Sequence, residues 1–160
     1  MTKFAISPDL DSFDLGILAA VQADNQLTHA QIGAQAGLSA SAVRRRLAVL
    51  RASGVIRRDC ALLDPDAFGV TLIVDISFGE ETPEQYAAFD AQMRSLAPVQ
   101  FSYHVAGETD YVLIVHGPSL KWYEEWAKEV LMSNPVIRRY STRVAWSYKK
   151  FDPTISVVRP

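Results

Sequence analysis

The chain has 160 residues, of which 49% are hydrophobic and 21% are charged, with a formal net charge of -2. This composition excludes a wholly disordered chain, and the length suits one ordinary domain or two small ones. The single cysteine, Cys60, excludes an intrachain disulfide and a multi-cysteine zinc site. The first ten residues lack a signal-peptide pattern, and the apolar stretch 112–115 is too short to cross a bilayer. We therefore expect a cytoplasmic protein with no membrane partner.

Charge divides the chain near residue 62. Residues 1–62 hold seven basic and five acidic residues, whereas the remainder holds nine basic and thirteen acidic residues. Six arginines crowd into residues 44–58, so the positive charge is local. The turn-prone segment Asp64-Pro65-Asp66 separates the two halves.

The first half predicts helices. Asp11 or Ser12 can cap the first helix, Thr28 can cap a short second helix that ends at Gly37, and Ser39 can cap a third. A glycine-containing turn between the second and third helices is typical of the helix-turn-helix motif. The apolar positions that predict these helices are Phe13, Ile17, Leu18 and Val21, then Ile32, Ala34 and Ala36, then Val43, Leu47 and Leu50.

The second half alternates between apolar and polar residues. Alternation over 70–78 predicts a half-buried strand, and Thr82-Pro83-Glu84-Gln85 is a capping box that starts a helix. Two strands follow around the turn 107–110, Ser119 can cap another helix, and residues 136–148 predict a final strand region. The order β-α-β-β-α-β is that of the ferredoxin-like split βαβ motif.

These elements predict an α+β protein with a winged helix-turn-helix domain and a ferredoxin-like βαββαβ domain. The boundaries that we expect are an N-terminal tail 1–9, a helix-turn-helix domain 10–58, a linker 59–68, a βαββαβ domain 69–150 and a C-terminal tail 151–160.

The third predicted helix carries the candidate DNA contacts. Its N-terminal turn can bind phosphate, and an arginine can bind guanine O6 and N7 with two hydrogen bonds. Arg46 lies nearer the core edge and can instead form a structural ion pair. The alternative is that these arginines only form a solvated helix face, and their clustering next to the glycine turn favours DNA. The candidate DNA-binding residues are Ser39, Ala40, Ser41, Arg44, Arg45, Arg46, Arg57 and Arg58.

Four segments together resemble a known family, the leucine-responsive/AsnC (feast/famine) regulators of bacteria and archaea. They are Leu10-Asp11-x-x-Asp14-x-x-Ile17-Leu18, Gly37-Leu38-Ser39-x-Ser41-x-Val43-x-Arg45-Arg46-Leu47-x-x-Leu50-x-x-x-Gly54-Val55-Ile56, Leu63-Asp64-Pro65 and Val105-x-Gly107-x-x-Asp110-Tyr111. The resemblance implies a DNA-binding transcription factor without catalytic activity, whose second domain dimerises and senses small molecules. It also implies assembly from dimers up to octamers. Gly33 departs from the family pattern, and we expect it to loosen the second helix.

The turn 107–110 is the candidate effector site. Gly107 permits a positive φ, the exposed amides can bind a carboxylate, and Asp110 can balance an ammonium group, which together suit an α-amino acid. By resemblance, the site also includes residues from the last strand. The candidate effector-binding residues are Gly107, Glu108, Thr109, Asp110, Ser141, Thr142 and Arg143. The alternative is that Gly107 only makes the turn and Asp110 only caps it, while Arg143 pairs with Glu108 or Asp110.

A second function remains open at the level of the sequence. AsnC-like proteins also include tetrapyrrole (sirohaem) decarboxylases and haem binders. In such a role, His104, His116 and Arg143 of this chain would bind the carboxylates of the tetrapyrrole. The histidines lack a set of neighbours with metal-ligand spacing, so we expect no metal and no cofactor. The favoured interpretation is a regulator that binds a pseudo-palindromic double-stranded DNA operator in the nucleoid and responds to an amino acid.

Overall fold

The computed structural model describes residues 10–80 and 82–157, which divide into two compact units. The first unit contains described residues within 10–62 and 151–157, and the second contains residues within 63–150. The predicted N-terminal tail 1–9 lies outside the described residues, as do 158–160 of the predicted C-terminal tail.

The described residues of the first unit form three α-helices: α1 (Ser12–Ala23), α2 (His29–Ala36) and α3 (Ala40–Ala52). Asp11, rather than Ser12, caps α1, while Thr28 and Ser39 cap α2 and α3 as predicted. The segment that follows α3 has no strand pairing within 55–62. The buried apolar core of this unit is formed by Ile17, Leu18, Ala20, Ile32, Val43, Leu47 and Leu50.

Gly33 allows the helix-turn-helix turn to pass close to α2. A Cβ atom at this position would lie 2.4 Å from the Leu38 carbonyl oxygen. The Leu38 N–H donates to the Gly33 carbonyl at 2.9 Å, so the chain folds back directly over this residue. The missing side chain of Gly33 therefore makes room for the turn, while the expected loosening of the second helix stays a prediction.

The second unit is a four-stranded antiparallel sheet with two α-helices on one face. In chain order it contains β1 (Val70–Phe78), α4 (Pro83–Ser95), β2 (Val99–His104), β3 (Tyr111–Gly117), α5 (Leu120–Ala127) and β4 (Ile137–Ala145). The strand order is β2-β3-β1-β4, and every paired neighbour is antiparallel. This topology confirms the predicted ferredoxin-like βαββαβ domain.

Strand alternation gives the sheet one covered and one open face. The covered face packs against the helices through Leu72, Val74, Ile76, Phe78, Phe89, Met93, Tyr111, Leu113, Val115, Tyr123, Trp126, Ala127, Val130 and Leu131. The open face carries the remaining strand positions, among them Thr71, Ile73, Asp75, Phe101, Tyr103, Val112, Ile114, His116, Ser141 and Arg143. Phe101 and Tyr103 on the open face are 45% and 51% exposed.

Within residues 10–80 and 82–157, the longest apolar helices fall short of what a membrane crossing requires.

Candidate DNA-binding and effector sites

The N-terminus of α3 presents small polar residues to solvent. The Ser39 hydroxyl accepts a hydrogen bond from the Ala42 N–H at 3.3 Å and lies 3.1 Å from the Ser41 hydroxyl. Ser39, Ala40 and Ser41 are all exposed. Because their side chains are short, an incoming ligand can approach the backbone N–H groups at this positive end of the helix.

Arg44 and Arg45 continue this exposed surface. Both side chains are exposed, and neither forms an ion pair with another of the residues that the structure describes. Val43 and Leu47, one turn apart, are buried and fix which side of α3 faces the core. The two guanidinium groups therefore keep their hydrogen-bond donors available for an acidic ligand such as DNA.

Arg46 differs from its two neighbours because it is bound to α1. Its Nη1 lies 2.8 Å from the carboxylates of both Asp11 and Asp14, and its Cζ lies 5.5 Å from the centre of the Phe13 ring. The bonds to Asp14 and Asp11 raise the pKa of Arg46. This pairing is the structural ion pair that the sequence left open for Arg46, and a role of Arg46 in DNA contact stays a prediction.

The same two carboxylates also cap α1. The Asp14 N–H donates to Asp11 at 2.9 Å, and the Asp11 N–H donates to Asp14 at 3.2 Å. The Asp14 N–H lowers the pKa of the Asp11 carboxyl below its ordinary value, and Arg46 adds to that effect. The start of α1 and the middle of α3 are therefore held by one charged cluster.

The remaining candidate DNA contacts follow α3. Arg57 and Arg58 are exposed in the unpaired segment after the helix. Next to them, the Arg51 Nε lies 3.2 Å from Asp59, with both side chains about half exposed. Asp59 thus neutralises Arg51, whereas Arg57 and Arg58 add to the exposed positive charge.

The turn between β2 and β3 is held in a defined conformation by a glycine and by the hydrogen bonds of Asp110. Gly107 has a φ of +153°, as predicted for a positive-φ position, and a Cβ there would meet nothing within 4 Å. The Asp110 carboxylate accepts hydrogen bonds from the Phe78 N–H at 2.7 Å and from the Tyr86 hydroxyl at 3.4 Å. The side chain of Asp110 therefore has structural partners on β1 and α4, which leave less of its charge for a ligand.

An open cavity of about 480 Å³ lies beside this turn. The residues that line it are Tyr86, His104, Val105, Ala106, Gly107, Thr109 and Asp110. The sequence indicated three of these as effector contacts, and it named His104 only for the tetrapyrrole interpretation. The His104 ring lies 4.7 Å from the Tyr86 ring and 5.0 Å from the Tyr111 ring, so it forms an aromatic wall. Burial, with a hydrogen bond to Asp90, raises the pKa of Tyr111.

The three candidate residues on β4 lie away from this cavity within one chain. Thr142 faces the helices, where its hydroxyl lies 2.6 Å from that of Tyr123. Ser141 and Arg143 lie on the open face, and Arg143 donates two hydrogen bonds to Asp75 at 2.8 and 3.0 Å. The ion-pair partner of Arg143 is therefore Asp75, and the expected pairing with Glu108 or Asp110 is wrong because β1 separates β4 from β3.

The histidines do not come together into one site. His104 lies on the covered side of the sheet, whereas His116 lies on the open side, where its Nδ1 is 2.9 Å from the Thr71 hydroxyl. Arg143 is bound to Asp75, so the three residues of the tetrapyrrole interpretation do not share one site. Among the described residues, no group of three or more histidine, cysteine or acidic side chains is placed to hold a metal ion.

Comparisons with known proteins match both units. The winged helix-turn-helix DNA-binding family matches residues 10–57, and the Lrp/AsnC ligand binding domain family matches residues 71–155. An uncharacterized HTH-type transcriptional regulator of Sinorhizobium fredii is 36% identical over 138 residues, which are 85% of this chain and 82% of that protein.

Two further relatives agree with this result. The glutamate uptake regulatory protein of Zymomonas mobilis is 34% identical over 124 residues, which are 76% of each chain. The crystal structure of an AsnC family transcriptional regulator from Agrobacterium tumefaciens is 30% identical, with a TM-score of 0.80 over 91% of this chain and 96% of that one. These relatives are named as regulators, which supports regulation over the decarboxylase interpretation.

Proposed function

Because this chain belongs to the Lrp/AsnC family of DNA-binding transcriptional regulators, we propose that it binds its operator through the exposed side of α3. We further propose that the cavity beside the turn 107–110 binds a free amino acid that modulates this binding. The observation that carries the DNA proposal is the division of the arginine run: Arg46 is bound to α1, whereas Arg44 and Arg45 are exposed.

In this proposal, α3 enters the major groove with its N-terminal end. Arg44 and Arg45 contact base edges or phosphates, and the short side chains of Ser39, Ala40 and Ser41 let the helix terminus approach the backbone. Arg57 and Arg58 contact the flanking phosphates. A dimer then places two copies of α3 in successive major grooves of a pseudo-palindromic site.

The open face of the sheet supports a homodimer. This face exposes the stacked rings of Phe101 and Tyr103, together with the partly exposed Ile73, Val112 and Ile114. An apolar sheet face of this kind is stabilised when it packs against a second sheet. We propose that dimers form in this way and assemble further, up to an octamer, on DNA in the cytoplasm.

The effector proposal depends on the cavity and the chemistry around it. The backbone amides of the turn can bind a carboxylate, and the His104 and Tyr86 rings offer an apolar wall for a side chain. Asp110 retains part of its hydrogen-bonding capacity for an ammonium group. Since Ser141 and Arg143 lie on the open face, they can complete a site only in an assembly of several chains.

The DNA proposal is tested with DNA from upstream of the protein's own gene. Three arginine–phosphate contacts per subunit neutralise about six phosphates in a dimer, so the logarithm of the affinity should fall with the logarithm of salt concentration with a slope of about -5. A mobility-shift series at several salt concentrations measures this slope. Equal affinity for an unrelated DNA sequence would contradict operator recognition.

The effector proposal is tested by thermal shift with a panel of amino acids. A ligand present at ten times its Kd adds about 1.4 kcal/mol to the stability of the folded state, which raises the melting temperature. The variant His104→Ala should reduce that rise, whereas Lys121→Ala, at an exposed position of α5 that does not line the cavity, should leave it unchanged. No melting shift with any amino acid would contradict the proposal.

A further inference from the structure

The last described residues of the chain pack against the helix-turn-helix unit. Residues 151–157 belong to the same compact unit as α1, α2 and α3, although β4 of the other unit precedes them in the chain. The Thr154 N–H donates a hydrogen bond to the Asp152 carboxylate at 3.0 Å, which forms a local turn before the contact. The predicted C-terminal tail is thus part of a folded unit over its described length.

One side chain of α1 holds this segment by both of its polar atoms. The Gln22 Nε2 donates to the Ile155 carbonyl at 2.9 Å, and the Ile155 N–H donates to the Gln22 Oε1 at 2.8 Å. The primary amide thereby satisfies both backbone groups of one residue, as a neighbouring β-strand would. In a solvated tail, water would satisfy these two backbone groups. The two hydrogen bonds from one side chain therefore make the contact specific for an extended backbone at Ile155.

An apolar contact follows immediately after the hydrogen bonds. Val157 is partly buried and packs against the core of the helix-turn-helix unit, while the Ile155 side chain remains 73% exposed. The segment therefore contributes apolar area to a small helical core.

We propose that residues 154–157 act as a positioning element of the DNA-binding unit. The chain leaves this unit after Leu62 and returns to it at Phe151, so the docked segment gives the unit a second connection to the sensing domain. Two connections leave fewer accessible orientations than one. Reduced orientational freedom raises the effective concentration of the second α3 at a two-half-site operator.

Hydrogen exchange tests the docking itself, and it does so without DNA. The amide of Ile155 should exchange more slowly than in an unstructured peptide, and the protection should not depend on protein concentration. Gln22→Glu replaces the amide group that donates to the Ile155 carbonyl with a carboxylate oxygen. Repulsion between this oxygen and the carbonyl should undock the segment, so the protection of the Ile155 amide should be lost. Gln26→Glu, which makes the same charge change nearby, should retain protection.

Two results would overturn the docking proposal. Exchange of residues 154–157 at unstructured rates in the unsubstituted protein would contradict docking altogether. Protection that disappears on dilution would contradict docking within one chain and indicate a segment exchanged between copies. Val157→Asp approaches the contact from the other side, and its effect should not add to that of Gln22→Glu if both act through the same docked segment.

The effect on positioning rests on the proposed DNA binding and has its own readout. Gln22→Glu should weaken binding to an operator with two half-sites by about fivefold relative to Gln26→Glu, because the effective concentration falls. Binding to DNA with one half-site should be the same for both variants, although a general loss of stability would lower it. Equal losses on the two DNAs would overturn the positioning role, and loss of exchange protection without any change on DNA would overturn it as well.

Discussion

The exposed side of α3 and the cavity beside the turn 107–110 differ in how much of each site one chain contains. The α3 surface comes from consecutive residues of one helix whose orientation is fixed by its own buried side. The cavity takes residues from α4, β2 and the turn, while the candidates on β4 face elsewhere. A site built from one helix can be complete in a single chain. The cavity is open, and in our proposal residues of other chains complete it.

The two regions also differ in how they use charge. On α3, one arginine is paired internally and two remain exposed. At the turn, Asp110 is held by the Phe78 N–H and the Tyr86 hydroxyl, whereas Arg143 on the open face of the sheet is held by Asp75. The proposed DNA-binding surface therefore has unneutralised charge, while the charged candidates for the effector site stabilise the fold first.

The largest effect should come from Arg45→Ala. Loss of a guanidinium contact to a base or phosphate should cost about 1–3 kcal/mol of operator binding, because no ion pair among the described residues holds this group. Affinity measured across several salt concentrations separates a base contact from a phosphate contact by its slope. Arg94→Ala on α4 is the control, and unchanged operator affinity for Arg45→Ala would remove this residue from the DNA surface.

A second comparison concerns Asp110→Ala, which should destabilise the sensing domain by about 1–3 kcal/mol. The Phe78 N–H would lose its acceptor at a partly buried position. Chemical denaturation measures the loss, and Asp110→Asn should recover part of it because one oxygen still accepts. If Asp110→Ala leaves stability intact and abolishes only the response to amino acids, the residue is a ligand contact without a structural role.

Arg46→Ala should have a smaller effect, a modest loss of stability in the helix-turn-helix unit. The ion pairs are only partly shielded from water, with 26% of the Arg46 side chain exposed, so solvent screens them. The melting temperature should fall for Arg46→Ala and remain unchanged for Arg44→Ala. The reverse order would show that the arginine run is divided differently from the contacts described above.

The smallest effect should be the response of stability to acid. The pKa of Asp11 lies below its ordinary value of 3.8 in the folded chain, chiefly because of the Asp14 N–H. Its contribution to stability is therefore present above that ordinary value and is lost as the pH falls through the lowered pKa. Denaturation between about pH 5 and pH 2 should show a shallower decline for Asp11→Asn; an identical decline would contradict this assignment.

The sequence predicted the elements whose signals are local. The alternation over 70–78 matches β1, and the capping residues Thr28, Ser39, Thr82 and Ser119 begin their helices as expected. Each of these signals depends on residues within one or two turns of one another. The family resemblance supplied the order of the domains and their roles.

The sequence did not predict contacts between distant segments. The role of Gly33 depends on how closely the Leu38 carbonyl passes, and the partner of Arg143 depends on which strand lies next to β4. The alternation of β2 already placed His104 on the face opposite to Phe101 and Tyr103. Its place in the cavity depends on contact with the Tyr86 ring of α4, which the sequence does not show. The contact of Gln22 with Ile155 spans 133 positions, a distance over which no periodic pattern gives a signal.

The charged cluster at the start of α1 has a practical consequence for protein engineering. Asp11 precedes the first helical residue, yet its carboxylate reaches across to the helix that we assign to the major groove. An affinity tag fused directly to Ser12 would remove the cap of α1 and one counter-ion of Arg46. The first turn of α1 would then fray, and its contact with α3 would weaken. Expression clones and minimal DNA-binding fragments should therefore retain Asp11.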